Sequence, residues 1–190
     1  KTGGYANDTS GNGNRGSLLN GPSWKSQGKC KVGACLYFDG ASGASQDDRV
    51  NVAGSSSIDN LQQMTMSAWI YPQSLGENER GRIFNKTSGT NLNSRAVNAY
   101  TNNSIGFTHG WSDSTDDYAL WKSPDNSLTL NQWNHITVTY DNTSSTNDPE
   151  IYINGIKQEI TEVVAPSGTV GDESGGAMDI GNMGVSRTFD

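Results

Sequence analysis

Residues 7–16 read NDTSGNGNRG, and their spacing is that of an oxygen donor set. Asp8, Ser10 and Asn12 occupy alternate positions, Gly13 permits a sharp reversal, and the carbonyl of Asn14 stands where it would complete the arc. Calcium is the cation such a set suits, because it takes carboxylate, amide and carbonyl oxygens in a flexible shell. The twelfth position of the loop, which is Glu in an EF-hand, is Leu19. One carboxylate carries too little charge for tight binding, so a second has to come from elsewhere in the chain. The same residues also describe an Asn- and Gly-rich turn held by hydrogen bonds from its own side chains to its own backbone. The spacing leaves both readings open.

A second concentration of chemistry lies in GFTHGWSDSTDDYALWKS, residues 106–123. Holding a sugar ring takes an aromatic face to stack on it and planar polar groups to bond its hydroxyls. Trp111, Tyr118 and Trp121 supply the first beside Asp113, Asp116 and Asp117, with Asn98 and Tyr100 just before them. The competing role for Trp111 and Trp121 is in the core, since Trp121 sits in a strand-like run. Trp69 and Trp133, each in a strong strand pattern, read as packing residues. His109 and His135 have no neighbouring nucleophile or third ligand, which makes each a structural hydrogen-bonding residue. Glycosidic hydrolysis on a β-sandwich would need facing carboxylates, of the Glu-x-Asp-x-x-Glu kind on one strand. No such run occurs. No Ser/His/Asp or Cys/His arrangement and no phosphate-cradling glycine loop appears either, so the expectation is a protein that is not an enzyme.

Cys30 and Cys35, five apart in GKCKVGACLYF, suit a disulfide across a short turn, the alternative being two reduced thiols. A net charge of -7 with no Lys/Arg cluster argues against nucleic acid as a partner. No apolar run reaches the length of a membrane span, and no charged start leads into an apolar segment, so a secretory signal, if the protein had one, is already removed. Charged residues are only 17% of the chain, and solubility rests on Asn, Ser, Thr and Gly, the habit of secreted or cell-surface proteins. Sequons at Asn7, Asn85, Asn102 and Asn142 are glycan acceptors only in a eukaryotic secretory route.

The elements that must position these groups are strands. Apolar residues recur with period two in QMTMSAWIYP (63–72), where Met64, Met66, Ala68 and Ile70 share a face, and in WNHITVTYD (133–141). Asn154-Gly155 between two β-rich runs predicts a type I′ hairpin. Further strands are predicted at 34–38, 49–52, 82–85, 104–109, 118–122, 127–130 and 177–180. About ten short strands in 190 residues predict an all-β, two-sheet antiparallel sandwich as one domain over 1–190, with 1–24 mostly loop wrapped around it.

The series DTSGNGNRGSLLNGPSW, GKCKVGACLYFDG, DDRVNV, MTMSAWIYP, GRIFNK, QWNHITVTYD, IYINGI and MDIGN resembles the laminin-G-like branch of the concanavalin A-like lectin/glucanase superfamily, from about residue 8 to 190. The resemblance implies a jelly roll with a gently concave face, secreted or at the cell surface, binding glycans or proteins and often carrying calcium. It also implies that the second calcium carboxylate lies near the C-terminus, where Asp190 is the nearest candidate. Members of the family usually have an extra strand before the SGNG loop and a final strand after a segment like RTFD. Here KTGGYAN stands for the first and nothing for the second, so either the chain has been trimmed or neighbouring copies supply the missing strands by pairing with open sheet edges, a route to self-assembly. The expectation is an extracellular recognition module for a glycan. The rivals are a structural or adhesive domain of a filament, pilus or adhesin that binds a cell-surface protein, and a glycoside hydrolase or polysaccharide lyase.

Overall fold

A computed structural model describes residues 3–41, 47–183 and 187–190; the first two residues of KTGGYAN lie outside it. Among the described residues there is no α-helix and there are fifteen strands. In chain order they are β1 (Tyr5–Ala6), β2 (Gly16–Leu19), β3 (Ser23–Lys25), β4 (Cys35–Tyr37) and β5 (Arg49–Val52). Then follow β6 (Gln63–Ile70), β7 (Arg82–Thr87), β8 (Ser94–Tyr100), β9 (Ser104–Gly110) and β10 (Tyr118–Lys122). The last five are β11 (Asn134–Asp141), β12 (Glu150–Ile153), β13 (Ile156–Lys157), β14 (Thr161–Val164) and β15 (Ala177–Ile180).

They form an antiparallel sandwich. One sheet has nine strands in the order β1-β2-β5-β15-β7-β8-β9-β10-β14, the other four in the order β13-β12-β11-β6, and β3 pairs with β4 in a separate ribbon. The period-two pattern explains which faces meet. Met64 and Ile70 of β6 and Ile136, Val138 and Tyr140 of β11 turn inward onto Val97, Ile105, Phe107 and Trp121 of the large sheet, and all nine are buried in one cluster. The interleaved residues of β6, Thr65, Ser67 and Trp69, face outward and are exposed.

The Asn154-Gly155 hairpin is present, with φ of 54° and 79°, joining β12 to β13. The Cys30–Cys35 disulfide is formed, Cα atoms 5.5 Å apart, and closes the turn between β3 and β4.

Two sequence expectations are corrected. Residues 127–130 form no strand: Ser127 N–H bonds the Pro124 carbonyl and Asn126 takes φ 61°, so the chain turns there, although Leu128 still reaches the core. Within the first 24 residues the short strands β1 and β2 add to the large sheet through β5, and the rest of the described stretch before β3 is loop. Trp69 is not a packing residue: it is 43% exposed on the outer face of the small sheet, beside His135 at 5.0 Å and under the Lys31 ammonium at 4.8 Å. Asn7 and Asn102 are exposed, whereas Asn85 and Asn142 are buried, which closes two of the four sequons to glycosylation.

Candidate functional site

The outer face of the nine-stranded sheet carries a groove of about 480 Å³, within the range of about 300–1,000 Å³ usual for small-ligand sites. Its floor is made by alternation. In β8 the outward positions are Ser94, Ala96, Asn98 and Tyr100, while Val97 and Ala99 go to the core. In β9 and β10 the outward residues are Gly106, Thr108, Tyr118 and Leu120, opposite Phe107 and Trp121 in the core. Small residues at Ala96, Gly106 and Thr108 keep the floor low. At Gly106 a Cβ would come within 3.1 Å of Asn98 Nδ2 and 3.2 Å of the Tyr100 ring, so the missing side chain is what lets both lie across β9.

In β7 the ladder with β8 shifts register between Arg82 and Phe84. Residue 83 is the extra residue of a bulge, and it re-aims its neighbours: Ile83 and Phe84 both pack inward, while Arg82 and Asn85 both line the groove. Arg82 Nη1 donates to Asn98 Oδ1 at 2.9 Å, and Nη2 lies 3.8 Å from the Met183 sulfur. Arg82 Nε and Asn85 Nδ2 are buried with no hydrogen-bond partner among the described residues. Arg80 lies over the Tyr100 ring, 5.2 Å from its centroid, with Nη2 3.4 Å from the phenol oxygen. Arg187 is brought alongside by the backbone, its carbonyl accepting from the Arg82 N–H at 2.9 Å. Burial first, then the neighbouring charges of Arg187 and Arg80, pulls the Arg82 guanidinium down to about 10. On the opposite side Asp179 is held by Asn51 Nδ2 at 2.7 Å and by Arg49 at 3.7 Å. Asp116 stands at the rim in the short 3-10 turn Thr115–Asp117.

The structure therefore brings together Asn98, Tyr100, Asp116 and Tyr118 of the sequence-derived set and places Trp111, Asp113 and Trp121 elsewhere. Trp111 is 3% and Trp121 0% exposed. Trp121 stacks on Phe107 at 5.9 Å and donates from Nε1 to Asp148 at 2.8 Å, so neither indole offers a face to a ligand. Asp113 is exposed, but its Oδ1 accepts from Ser112 Oγ at 3.0 Å and its backbone N–H donates to the Ser167 carbonyl, away from the groove lining. Sequence reasoning missed Arg80, Arg82, Arg187 and Asn85. The bulge hides the pairing of Arg82 with Asn85, because residues three apart in a regular strand face opposite ways.

The loop of Asp8, Ser10, Asn12 and Asn14 adopts the self-bonded turn. Asp8 Oδ1 accepts the Ser10 N–H at 2.7 Å, and Oδ2 accepts the Asn14 N–H at 2.8 Å and the Ser10 hydroxyl at 2.9 Å. These bonds, the Ser10 backbone first, hold the Asp8 carboxyl below the usual range. Asn12 donates to Ser10 Oγ, and Asn14 is tied to Ser55 and Ser57. The donors of the turn converge on the Asp8 carboxylate, so the loop closes on its own hydrogen bonds. Asp190 does not approach this loop; its Oδ1 accepts from Ser74 Oγ at 2.7 Å and Ser74 N–H at 3.1 Å. The second carboxylate that calcium would need beside Asp8 is therefore not Asp190, and among the described residues no group of three or more His, Cys, Asp or Glu stands together as a metal site.

Both histidines are hydrogen-bonded, His135 to Ser67 Oγ at 3.0 Å and His109 to Asn142 at 3.1 Å. No helix among the described residues is long and apolar enough to cross a membrane. A laminin-G family model, described as the concanavalin A-like lectin/glucanases superfamily, matches residues 42–190. No curated protein matches the chain significantly.

Proposed function

The chain belongs to the concanavalin A-like lectin/glucanases superfamily, and on that premise we propose that it is an extracellular recognition module that binds a glycan in the groove of the nine-stranded sheet without cleaving it. Membership supports a lectin-like or adhesive module in general. The observation that carries the finer reading is the groove floor: Arg82 Nε and Asn85 Nδ2 are buried donors with no acceptor among the described residues, and they open onto a groove walled by Tyr100 and Tyr118. Unpaired buried donors are costly. Sugar hydroxyls and ring oxygens are acceptors of the right kind, and the half-buried Tyr118 ring supplies the stacking face. The sheet holds these groups in place before a ligand arrives, so binding orders little. Of the groove carboxylates, Asp179 is committed to Arg49 and Asn51 and Asp116 sits in the rim turn, which favours recognition over hydrolysis. The disulfide and the Asn-, Ser- and Gly-rich surface support an oxidising, extracellular setting.

The test is binding to a glycan array by the intact chain and by two variants. Tyr118→Ala removes the stacking face, and Gly106→Val drives a side chain into the space where Asn98 and the Tyr100 ring now lie. Each is expected to weaken binding about tenfold or more, a loss of about 1.4 kcal/mol or greater. Gly106→Val also costs about 1–3 kcal/mol of stability by overpacking, to be checked by thermal unfolding. Glycan binding that survives both variants unchanged would move the site elsewhere.

A second reading, adhesion or assembly through protein contact, rests on the small sheet. Trp69, Tyr71, Tyr37 and Val32 are 43%, 42%, 40% and 74% exposed around a cleft bounded by β6, an edge strand. Concentration-dependent assembly in sedimentation, abolished by Trp69→Ser and accompanied by no glycan binding, is the outcome that would favour it.

A further inference from the structure

We infer that the groove selects acidic glycans, with Arg80, Arg82 and Arg187 as a trident for a carboxylate or sulfate group borne by the sugar; this rests on the groove being the glycan site. The chain is acidic overall, at -7, yet three of its 13 basic residues converge on this one concavity. Chance would scatter them, and repulsion opposes gathering them. Arg49, Lys86, Arg95, Lys122 and Lys157 each have a carboxylate within 4 Å. Arg80, Arg82 and Arg187 have none among the described residues, and their partners are neutral: Asn98 Oδ1, the Tyr100 phenol and the Met183 sulfur. Glu77, the acid adjoining Arg187, spends its Oε2 on the Arg187 backbone N–H at 2.6 Å. Asp179 is already neutralised by Arg49.

A guanidinium withdrawn from water beside two others is destabilised in its charged form, and Arg82 is so destabilised. An arriving anion relieves that repulsion and supplies the acceptor that Arg82 Nε lacks. The planar guanidinium matches carboxylate and sulfate oxygens in a two-pronged fashion that ammonium groups do not. A neutral sugar would satisfy the donors but leave the charge uncompensated. The arginines also stand at the Tyr100 side of the groove, with Arg80 already over that ring. The acidic substituent is therefore held in the same groove as the Tyr118 ring, so both recognition elements act on one saccharide.

The experiment measures binding of fluorescently labelled oligosaccharides of three kinds, an oligogalacturonate, a sulfated dextran fragment and a neutral cello-oligosaccharide, at low and high sodium chloride. The expected result is that an acidic probe binds at least about tenfold more tightly than the neutral one, with affinity falling steeply as salt rises. Preference for the oligogalacturonate identifies the anion as carboxylate, and preference for the dextran fragment identifies it as sulfate; either upholds the inference. Arg82→Gln is expected to abolish the preference. Because Arg82 is partly built into the sheet, Arg80→Gln at the half-exposed rim serves as the second variant and should reduce the preference about fivefold or more with an unchanged melting temperature. Equal affinity for neutral and acidic probes, insensitive to salt and to both variants, overturns the inference while leaving the glycan site standing. Failure of all three probes and of a wider glycan panel would instead remove the site itself, and the inference with it.

Discussion

Replacing Lys86 by alanine is expected to lower the stability of the fold by about 3–5 kcal/mol, read from urea or guanidinium unfolding, because it strands a carboxylate in a poorly hydrated place. The Lys86 side chain is 1% exposed. Its ammonium makes three contacts, with Asp59 Oδ1 at 2.7 Å and with the carbonyls of Gly176 at 2.7 Å and Glu173 at 3.1 Å. Burial pushes the Asp59 carboxyl up, but the bonds from Lys86 and from the Gly175 N–H outweigh it and leave that group below the usual range. Without the lysine that compensation goes, and two backbone carbonyls lose their donor. The 173–176 turn would also come loose from β7, and with it Glu173, which pairs with Arg95 of β8. A double-mutant cycle isolates the charge effect. Lys86→Met combined with Asp59→Asn should recover at least about 1 kcal/mol of the loss seen in Lys86→Met alone. Additive effects would show that the ammonium serves its two carbonyls and that its pairing with Asp59 contributes little.

That ion network explains part of what was legible in the sequence and what was not. Strands β6 and β11 could be read because one of their faces meets solvent, so polar and apolar residues alternate. Strand β8 was missed because six of its seven residues are buried, on both faces, and the inward face carries Arg95 as well as Val97 and Ala99. A run such as SRAVNAY looks like a loop when a buried arginine and a buried asparagine interrupt it. Only the partners, Glu173 some 78 positions away and Arg82 across the bulge, make those polar residues affordable. The aromatic assignments failed for a different reason. Residue type marks tryptophan as able to stack on a sugar, but face is set by parity. In YALWK, Tyr118 and Trp121 are three apart, so once Tyr118 faces the groove Trp121 must face the core. That signal was present in the spacing. The bulge in β7, which gathers Arg82 with Asn85, leaves no comparable trace. The loop at Asp8 was ambiguous in principle, since alternate oxygen side chains can point at a cation or accept from their own N–H groups.

Lowering the pH is expected to weaken the protein through His109, by about 3 kcal/mol in all, before any general acid denaturation. The imidazole is 4% exposed, between Phe107 and Tyr140. Its Nε2 faces the Asn142 side-chain amide at 3.1 Å, and that amide also donates to the Leu61 carbonyl at 3.2 Å. Nε2 is therefore an acceptor and the proton sits on Nδ1, which points at the Gly110 carbonyl, 3.3 Å away. Burial above all, with a lesser contribution from Arg95, pulls the group from 6.5 down to about 4, against the opposing bond to Gly110. A second proton would set Nε2–H against the amide N–H of Asn142. Above the ordinary value of 6.5 the ring is neutral in folded and unfolded chains alike, and its contribution is fully present. Between 6.5 and about 4 the unfolded chain takes up a proton that the folded one refuses, so stability falls with pH at up to about 1.4 kcal/mol per unit. Below about 4 both states are charged and no further loss comes from this group. Glu173, raised by burial, acts in the opposite sense, its neutral form being favoured in the fold as the pH drops. Comparison with His109→Gln separates the two, because Glu173 is common to both proteins and glutamine can offer Asn142 an acceptor without titrating. The difference in unfolding free energy between wild type and variant should shrink or reverse by about 3 kcal/mol from neutral pH to about 4. Parallel stability profiles would mean that the ring is protonated inside the fold, with the Asn142 amide turned to present its oxygen and its bond to Leu61 given up.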